Sequence, residues 1–398
     1  MSGELTVHGA ESRRDRREFL EYAYRRHRGD ALWVPPLRRA RGRLFAGRTA
    51  FFAHAEMALF LARRGGGAVG RIAAIHNPRH NERHGDRVGF FGFFECDMGD
   101  AAATAALVAA AEGWLAARGL DRLRGPVNPS MNAECGLLVD GFDAPPVAMM
   151  PYNPPEYAGL LEAAGLARCK DLYAYRIEAH RVEGTAGKDG RLARAAALIR
   201  RRHAALTIRP IDLRRFESEV LALTEVFEQA RAGNWGYVPL TRAEILEMAR
   251  EFRQVIDAEL VLLAEVEGKP AGASLAIPDI NLGLAAARGR LWPLGLLRFA
   301  RAMRGCHEIR VFGIAALEPY RHMGVAALLM LETILRGTAK GYDTAEASWV
   351  LQDNVMSNRT IQDLLDPRLY KTYRIYEKAI ASSHAAGDGR AFEPNTQD

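Results

Sequence analysis

The sequence is 398 residues long, 48% apolar and 26% charged, an ordinary globular composition with enough chain for two to three domains at roughly 100–200 residues each. It excludes a disordered, collagenous or coiled-coil chain, and the charge-free runs 101–111 and 144–155 are shorter than the roughly 20 apolar residues of a membrane helix. The net charge of +6 arises from 48 Arg and 6 Lys, and twelve of the arginines lie between Arg13 and Arg48, so this segment reads either as a solvated basic helix and loop or as a surface that meets phosphates.

The first twenty residues carry charge without an apolar core, so no secretory signal is read there. The expected location is the cytoplasm, with peripheral contact at the inner membrane left open. Cys96, Cys135, Cys169 and Cys306 show no CxxC pairing, which favours buried reduced thiols over a disulfide framework or a zinc site.

In chain order, 56–61 and 68–75 read as strands joined by the turn RRGGG, and 88–95 as a third strand. An alanine-rich helix over 101–118 closes at Gly119, and 120–127 leads into a proline-rich loop. The small, polar stretch EGTAGKDGR reads as a linker, dividing the chain into 1–184, a linker and helix over 185–204, and 205–398. After it come a helix over 191–203, a strand over 206–210 and an amphipathic helix over 216–230. Strands over 260–266 and 272–276 joined by EGKP, a strand over 308–317, a helix over 325–340 capped by Gly341, and a strand over 344–351 complete the second half. Both halves therefore run hairpin, long strand, helix, strand, a mixed α/β order repeated in topology with little identity between copies.

The stretch LEPYRHMGVAA at 317–327 takes a strand through Arg321-x-x-Gly324-x-Ala326 into a helix. Arg, Gly and a small residue at this spacing turn successive backbone N–H groups toward one point at a helix N-terminus, which suits a pyrophosphate. Gly324 permits the turn, Ala326 leaves room for close approach, and Arg321 adds fixed positive charge. At these residues the chain resembles the GNAT superfamily of acyl-CoA N-acyltransferases, whose signature here is Arg or Gln, x, x, Gly, x, Gly or Ala. The resemblance implies two tandem GNAT folds, each a central mixed sheet flanked by helices. It also implies that Leu317, Arg321, His322, Met323, Gly324, Val325, Ala326 and Ala327, followed by Asn354 and Asn358, bind acyl-CoA as co-substrate, with no permanently bound cofactor.

The first half lacks this loop. Its corresponding turn, ECDMGDAAAT, places Asp97 and Asp100 where a pyrophosphate would sit, and carboxylates there favour the helix while repelling phosphate. One CoA site is expected, in the second half, with the first half shaping the acceptor or acyl pocket. The segment 125–157 is dense in Pro, Gly and Asn, so Asn128, Ser130, Asn132, Tyr152 and Asn153 either satisfy backbone groups or line a substrate loop walled by Met149 and Met150. The motifs GPVNPSMN, GFDAPP, MPYNPP, SWVLQDN and LYKTYRIYEK resemble a family of tandem-GNAT bacterial proteins that includes the bacterial ceramide synthases, over roughly 30–380. That resemblance implies transfer of a long-chain acyl group from acyl-CoA to the amine of a sphingoid base, with Trp349 among the substrate-binding residues.

Attack of an amine on a thioester needs a base, donors for the oxyanion and an acid for the thiolate. Glu346 is the candidate base, since strand alternation puts it on a face with Thr344, Ser348 and Val350; Glu95 and Asp353 are other carboxylates near strand ends. Many GNAT enzymes carry a tyrosine acid seven residues after the asparagine that matches Asn358; here that position is Leu365, and Tyr373, among Tyr370, Tyr373 and Tyr376, takes the role of candidate acid. His76, His80 and His84 are placed in a polar loop and no metal site is expected. The segment LWPLGLLRFARAMR at 291–304 reads as a basic amphipathic helix that either lies on a membrane surface, gates an apolar tunnel or packs as an ordinary helix. Alternative functions are a small-acyl acetyltransferase, aminoacyl transfer from tRNA, and a non-catalytic acyl-CoA binding protein; no nucleic-acid partner is expected, and the oligomeric state is not read from the sequence.

Overall fold

The computed structural model describes residues 3–381. Its first half contributes β1 (Leu5–Gly9), β2 (Glu56–Arg64), β3 (Gly67–His76), β4 (Val88–Cys96) and β5 (Arg122–Gly125), then the two-stranded ribbon of β6 (Val127–Asn128) and β7 (Glu134–Cys135), followed by β8 (Leu137–Asp140) and β9 (Ala167–Glu178). The second half repeats the order with β10 (Leu206–Pro210), β11 (Val261–Val266), β12 (Lys269–Pro278), β13 (Glu308–Ala316), β14 (Thr344–Leu351) and β15 (Arg368–Ala379). Both predicted hairpins close on two-residue turns with positive φ, Gly65–Gly66 and Glu267–Gly268, the geometry that matches strand twist.

Each half places two helices between its first and second strands, Arg13–Arg26 with Arg38–Phe45 and Phe216–Arg231 with Arg242–Phe252. Each also joins its fourth and fifth strands through one long helix, Ala101–Ala116 or Val325–Ala339. That crossover is what lets the flanking strands pair in parallel, β4 with β5 and β13 with β14.

The halves do not close separately. The spatial order runs β1-β2-β3-β4-β5-β15-β9-β14-β13-β12-β11-β10, with β8 added beside β15, in one thirteen-stranded sheet. The last strand of the chain, β15, pairs with β5 of the first half, while β9 pairs with β14 of the second. The two exchanged strands pair with each other at the centre, Arg368↔Arg176 to Glu377↔Ala167. Tyr373, Ile375 and Tyr376 are consequently buried at 0% exposure, with apolar cores on both faces of the joint.

The EGTAGKDGR stretch, read as a linker, is the last turn of helix Ala179–Ala186 and a tight turn over 187–190 into helix Arg191–Arg202. Val182, Ala186, Leu192 and Ala196 from these helices are buried in the core around helix Val325–Ala339, so apolar spacing outweighs the small, polar composition there. The histidines read as lying in a loop are also differently placed. Pro78–His84 is a helix with Pro at its start, and His80 is buried edge-on to the Phe90 ring. Burial lowers the His80 pKa to about 3 and keeps that imidazole neutral.

Candidate active site

In each half the parallel central pair runs together briefly and then parts. β13 and β14 pair from Glu308↔Thr344 to Val311↔Ala347, and β4 and β5 from Val88↔Arg122 to Phe90↔Arg124. Beyond those points backbone N–H and C=O groups on the facing edges are freed, which is where a ligand chain can pair with protein.

The two openings differ in what fills them. In the first half, a Cβ on Gly92 would lie 1.7 Å from the Val127 carbonyl oxygen, and the Phe93 N–H donates to Asn128 Oδ1 at 2.6 Å. The chain after β5 plugs that opening. The turn beyond β4 is taken as well: Asp100 accepts from the Ala103 N–H at 3.0 Å and pairs with Arg64, while Asp97 accepts from Tyr22. These contacts bear on the reading of Asp97 and Asp100 as residues that occupy a helix start.

In the second half, Glu346 lies at the point of parting. It is 0% exposed, stands opposite Arg310 on β13 and Arg176 on β9, and accepts a hydrogen bond from the Tyr370 hydroxyl. Among the described residues, Glu346 Oε1 and the fully buried Tyr373 hydroxyl find no hydrogen-bond partner. A buried polar atom left in this state costs on the order of 1–3 kcal/mol, and these two are among seventeen such atoms in the described residues.

Cations surround the carboxylate. Arg310 donates from Nε to Ser348 Oγ and from a terminal nitrogen to the Ser348 carbonyl, both at 3.1 Å, and reaches the Ala148 carbonyl at 2.5 Å. Lys371, at 0% exposure, donates to the carbonyls of Ala144 and Pro145. Burial lowers the pKa of both cations, and Glu346 is the largest influence acting the other way. Burial also pushes Glu308 up to about 7 against the pull of Arg176, with Asp279 and Glu346 adding to the rise. Asp279 is pushed up to about 6 for the same first reason, although it accepts from the backbone of Asn281 and Ala148. Tyr370 and Tyr373 are raised by burial and by the neighbouring Glu346 charge, which keeps both phenols protonated.

Loop 144–150 of the first half thus covers the carboxylate of the second, tied down by Arg310, Lys371 and Asp279. Val147 and Met150 of this loop and Tyr370 belong to a core cluster that also includes Met131 and Leu351, with Trp235 and Trp349 packed partly buried against it.

The predicted pyrophosphate loop forms a short 3-10 turn, Glu318–Met323, leading into helix Val325–Ala339. Gly324 has φ 76°, and a Cβ there would meet Ile199 Cδ1 at 2.5 Å. Both conformation and space therefore call for glycine. Arg321, His322 and Ala326 are exposed, and the first N–H groups of the helix point out of its N-terminus as helix geometry requires. Arg321 Nε bonds the Ala316 carbonyl at 3.4 Å.

Other predicted residues are engaged within the protein. Asn354 caps helix Val355–Leu365 through the Ser357 N–H, and Asn358 donates to the Leu351 and Gln352 carbonyls while accepting from Tyr175. Asn132 donates to the Val238 carbonyl, Asn153 brackets Leu138, and Tyr152 donates to Asp30. Ser130 and Asn132 also line a small cavity with His54, Asn77, Arg79 and His80 of the first half and Val238, Leu240 and Glu244 of the second. Asp353 pairs with Lys170 at the surface, and Glu95 is buried against His27 and Tyr157, each at 2.9 Å.

Sequence reading missed Arg310, Lys371, Asp279 and Arg231. A lone Arg within the apolar run EIRVFGIAA was the available signal for Arg310. Arg231 donates to the Phe312 carbonyl at 2.9 Å, at the irregularity where β12 and β13 shift register, and burial lowers its pKa. Nothing in the local sequence marks it. Among the described residues no group of three His, Cys, Asp or Glu side chains is placed to hold a metal ion.

No family model matches the chain. It is 34% identical over 390 residues to a protein of Caulobacter vibrioides (strain NA1000 / CB15N) described as bacterial ceramide synthase, covering 95% of this chain and 98% of that one. It is 31% identical over 376 residues to protein YghO of Escherichia coli (strain K12), covering 93% and 94%. Among solved structures, a tandem GNAT protein from the clavulanic acid biosynthesis pathway superposes with TM-score 0.56 at 12% identity, covering 96% of this chain and all of that one. A GCN5-related N-acetyltransferase from Sphaerobacter thermophilus gives TM-score 0.52 at 15% identity over 94% of this chain and 96% of that chain. Both likenesses concern the fold.

Proposed function

Because the chain belongs to the bacterial ceramide synthase family and is an acyltransferase on a tandem GNAT fold, we propose that it transfers a long-chain acyl group from acyl-CoA to the amine of a sphingoid base. The observation that carries this reading is the parting of β13 and β14 beside one buried, partly unpartnered carboxylate, Glu346, under a loop from the other half.

In this reading the backbone of 317–327 and Arg321 hold the pyrophosphate of acyl-CoA, the substrate, at the start of helix Val325–Ala339. The acyl chain enters the parting of β13 and β14, where the apolar side chains around Met150, Leu351 and Trp349 receive it at about 0.8 kcal/mol per buried CH₂. Glu346, held by Tyr370, takes the proton from the attacking amine at Oε1. Freed N–H groups on β13 past Phe312 stabilise the oxyanion, and Tyr373 donates its proton to the departing thiolate, its hydroxyl being free to turn toward it. The overall balance is amine plus thioester to amide plus free thiol. Ser130 and Asn132, at the small cavity between the two halves, serve the polar end of the acceptor.

The test is product identity. With palmitoyl-CoA, sphinganine should yield an N-acyl amide by mass spectrometry while lysine-containing peptides yield none; acylated peptide without acylated sphinganine would refute the assigned acceptor.

A further inference from the structure

The two halves differ at the link between their third and fourth strands. Between β3 and β4 the chain makes the single helix Pro78–His84, whereas between β12 and β13 it makes a helical hairpin, Asn281–Ala287 followed by Gly295–Met303. That longer link carries Trp292 at 84% exposure, Leu297 at 69%, Leu294 at 56%, Leu296 at 54% and Leu282 at 43%. Five large apolar side chains concentrated on one hairpin form a patch, in contrast to the scattered surface leucines that need no explanation.

The charge on the same hairpin has one sign. Arg288, Arg290, Arg298, Arg301 and Arg304 are all exposed, and no acidic residue occurs between Asp279 and Glu308. Some surface arginines elsewhere, such as Arg336 and Arg209, sit against carboxylates, while others, such as Arg201 and Arg202, are exposed. Among the described residues none of these five has a carboxylate within 4.0 Å.

The patch is braced. Gly283 lets the Phe299 ring lie where a Cβ would be 2.5 Å from it, Asn281 donates to the Pro146 carbonyl at 2.7 Å, and Arg38 donates through its backbone to the Gly289 carbonyl at 3.0 Å. These contacts hold the helices against the body while their apolar side chains remain outside, so the exposure belongs to the fold.

We propose that this hairpin docks the protein on a bilayer bearing anionic headgroups, with Trp292 and the exposed leucines at the headgroup–acyl boundary and the arginines against lipid phosphates. A tryptophan beside leucines and unneutralised arginines matches that boundary, which is apolar on one side and negatively charged on the other. Among the described residues no helix is long and apolar enough to cross a membrane, so the contact is one of surface docking.

The docked face is next to the site. Asp279, at the root of the hairpin, accepts from the backbone of both Asn281 and Ala148, and the Ala148 carbonyl receives Arg310. A lipid amine leaving the bilayer at the hairpin therefore arrives beside the loop that covers Glu346. This purpose rests on the proposed function; the docking itself does not.

The test is flotation of the full chain with vesicles of phosphatidylcholine alone and with about one third phosphatidylglycerol. The protein should float with the anionic vesicles and be released as salt rises. Replacing Trp292 and Leu297 together by Ser should lower partitioning at least about 10-fold, with thermal stability and turnover of a detergent-dispersed acceptor unchanged, since both side chains are solvent-exposed. Arg298→Gln with Arg301→Gln should weaken binding to the anionic vesicles. Absence of flotation by the wild type, equal flotation of the Ser variant, or a change in self-association in place of vesicle binding would each overturn the proposal. Flotation without amide formation would uphold docking and count against the proposed function alone.

Discussion

The Tyr370 hydroxyl donates to the Glu346 carboxylate at the point where β13 and β14 separate, and Oε1 of the same carboxylate is left without a partner among the described residues. One oxygen is thus held in place by β15 while the other stays available to a proton. Glu346→Gln should lower kcat by about 10²–10⁴-fold with the acyl-CoA Kd unchanged, because the amide keeps the shape and loses the basicity. Steady-state kinetics with calorimetry decide it, and wild-type turnover would remove Glu346 as the base.

Tyr373 separates catalysis from stability. Its hydroxyl is buried without a partner, so Tyr373→Phe should raise stability by about 1 kcal/mol, seen as a higher Tm. If the phenol protonates the thiolate, the same variant loses activity. A stabilised and fully active Phe variant would assign the acid elsewhere.

Ala326 is the cleaner probe of the pyrophosphate loop. Any side chain at Gly324 would be strained by φ 76° and by Ile199, whereas Ala326 is exposed in the first turn of its helix. Ala326→Glu should weaken acyl-CoA binding at least about 10-fold by repulsion, while a carboxylate at a helix start leaves Tm equal or slightly higher. Unchanged affinity would move the CoA site.

Glu308 links stability to pH. Its folded-state pKa, pushed up to about 7, lies above the 4.5 of an ordinary glutamate, so the native state binds the proton more tightly and stability is lost as pH rises from about 4.5 to about 7, with no further loss above. Glu308→Gln should therefore be more stable than wild type at pH 8, less the lost contact with Arg176, with the advantage shrinking as pH falls toward 5. Tm measured for both proteins across that range tests the sign; an advantage that grows on acidification would contradict it.

The strand exchange predicts that neither half stands alone. Residues 1–184 lack β15, the neighbour of both β5 and β9, and would expose long unpaired edges. The isolated fragment should show no cooperative melt, and co-expression with 185–398 should restore one. A cooperative melt from 1–184 alone would contradict the dependence.

The strands of both hairpins and the long strand–helix–strand units were legible because alternation, turn glycines and helix ends all act locally. The exchange of β9 and β15 was not, because pairing between residues about 200 apart leaves no periodic trace in either segment. At the candidate site, strand alternation singled out Glu346 and the spacing with Arg321 singled out Gly324, whose backbone conformation calls for glycine. Arg310, Lys371 and Asp279 gather around Glu346 only through tertiary contacts with loop 144–150, and that loop's composition signals turns without saying what they cover. The asparagines of 125–157 were likewise ambiguous, since an amide that caps a strand and one that meets a substrate look alike in sequence.

The most direct test of the account follows thiol release from an acyl-CoA series, acetyl to palmitoyl, with sphinganine as acceptor and the product identified by mass. The account predicts amide formed with kcat/KM rising toward the long chains and abolished in Glu346→Gln. Turnover confined to acetyl-CoA, or acyl-CoA binding with no amide formed at any chain length, would contradict it.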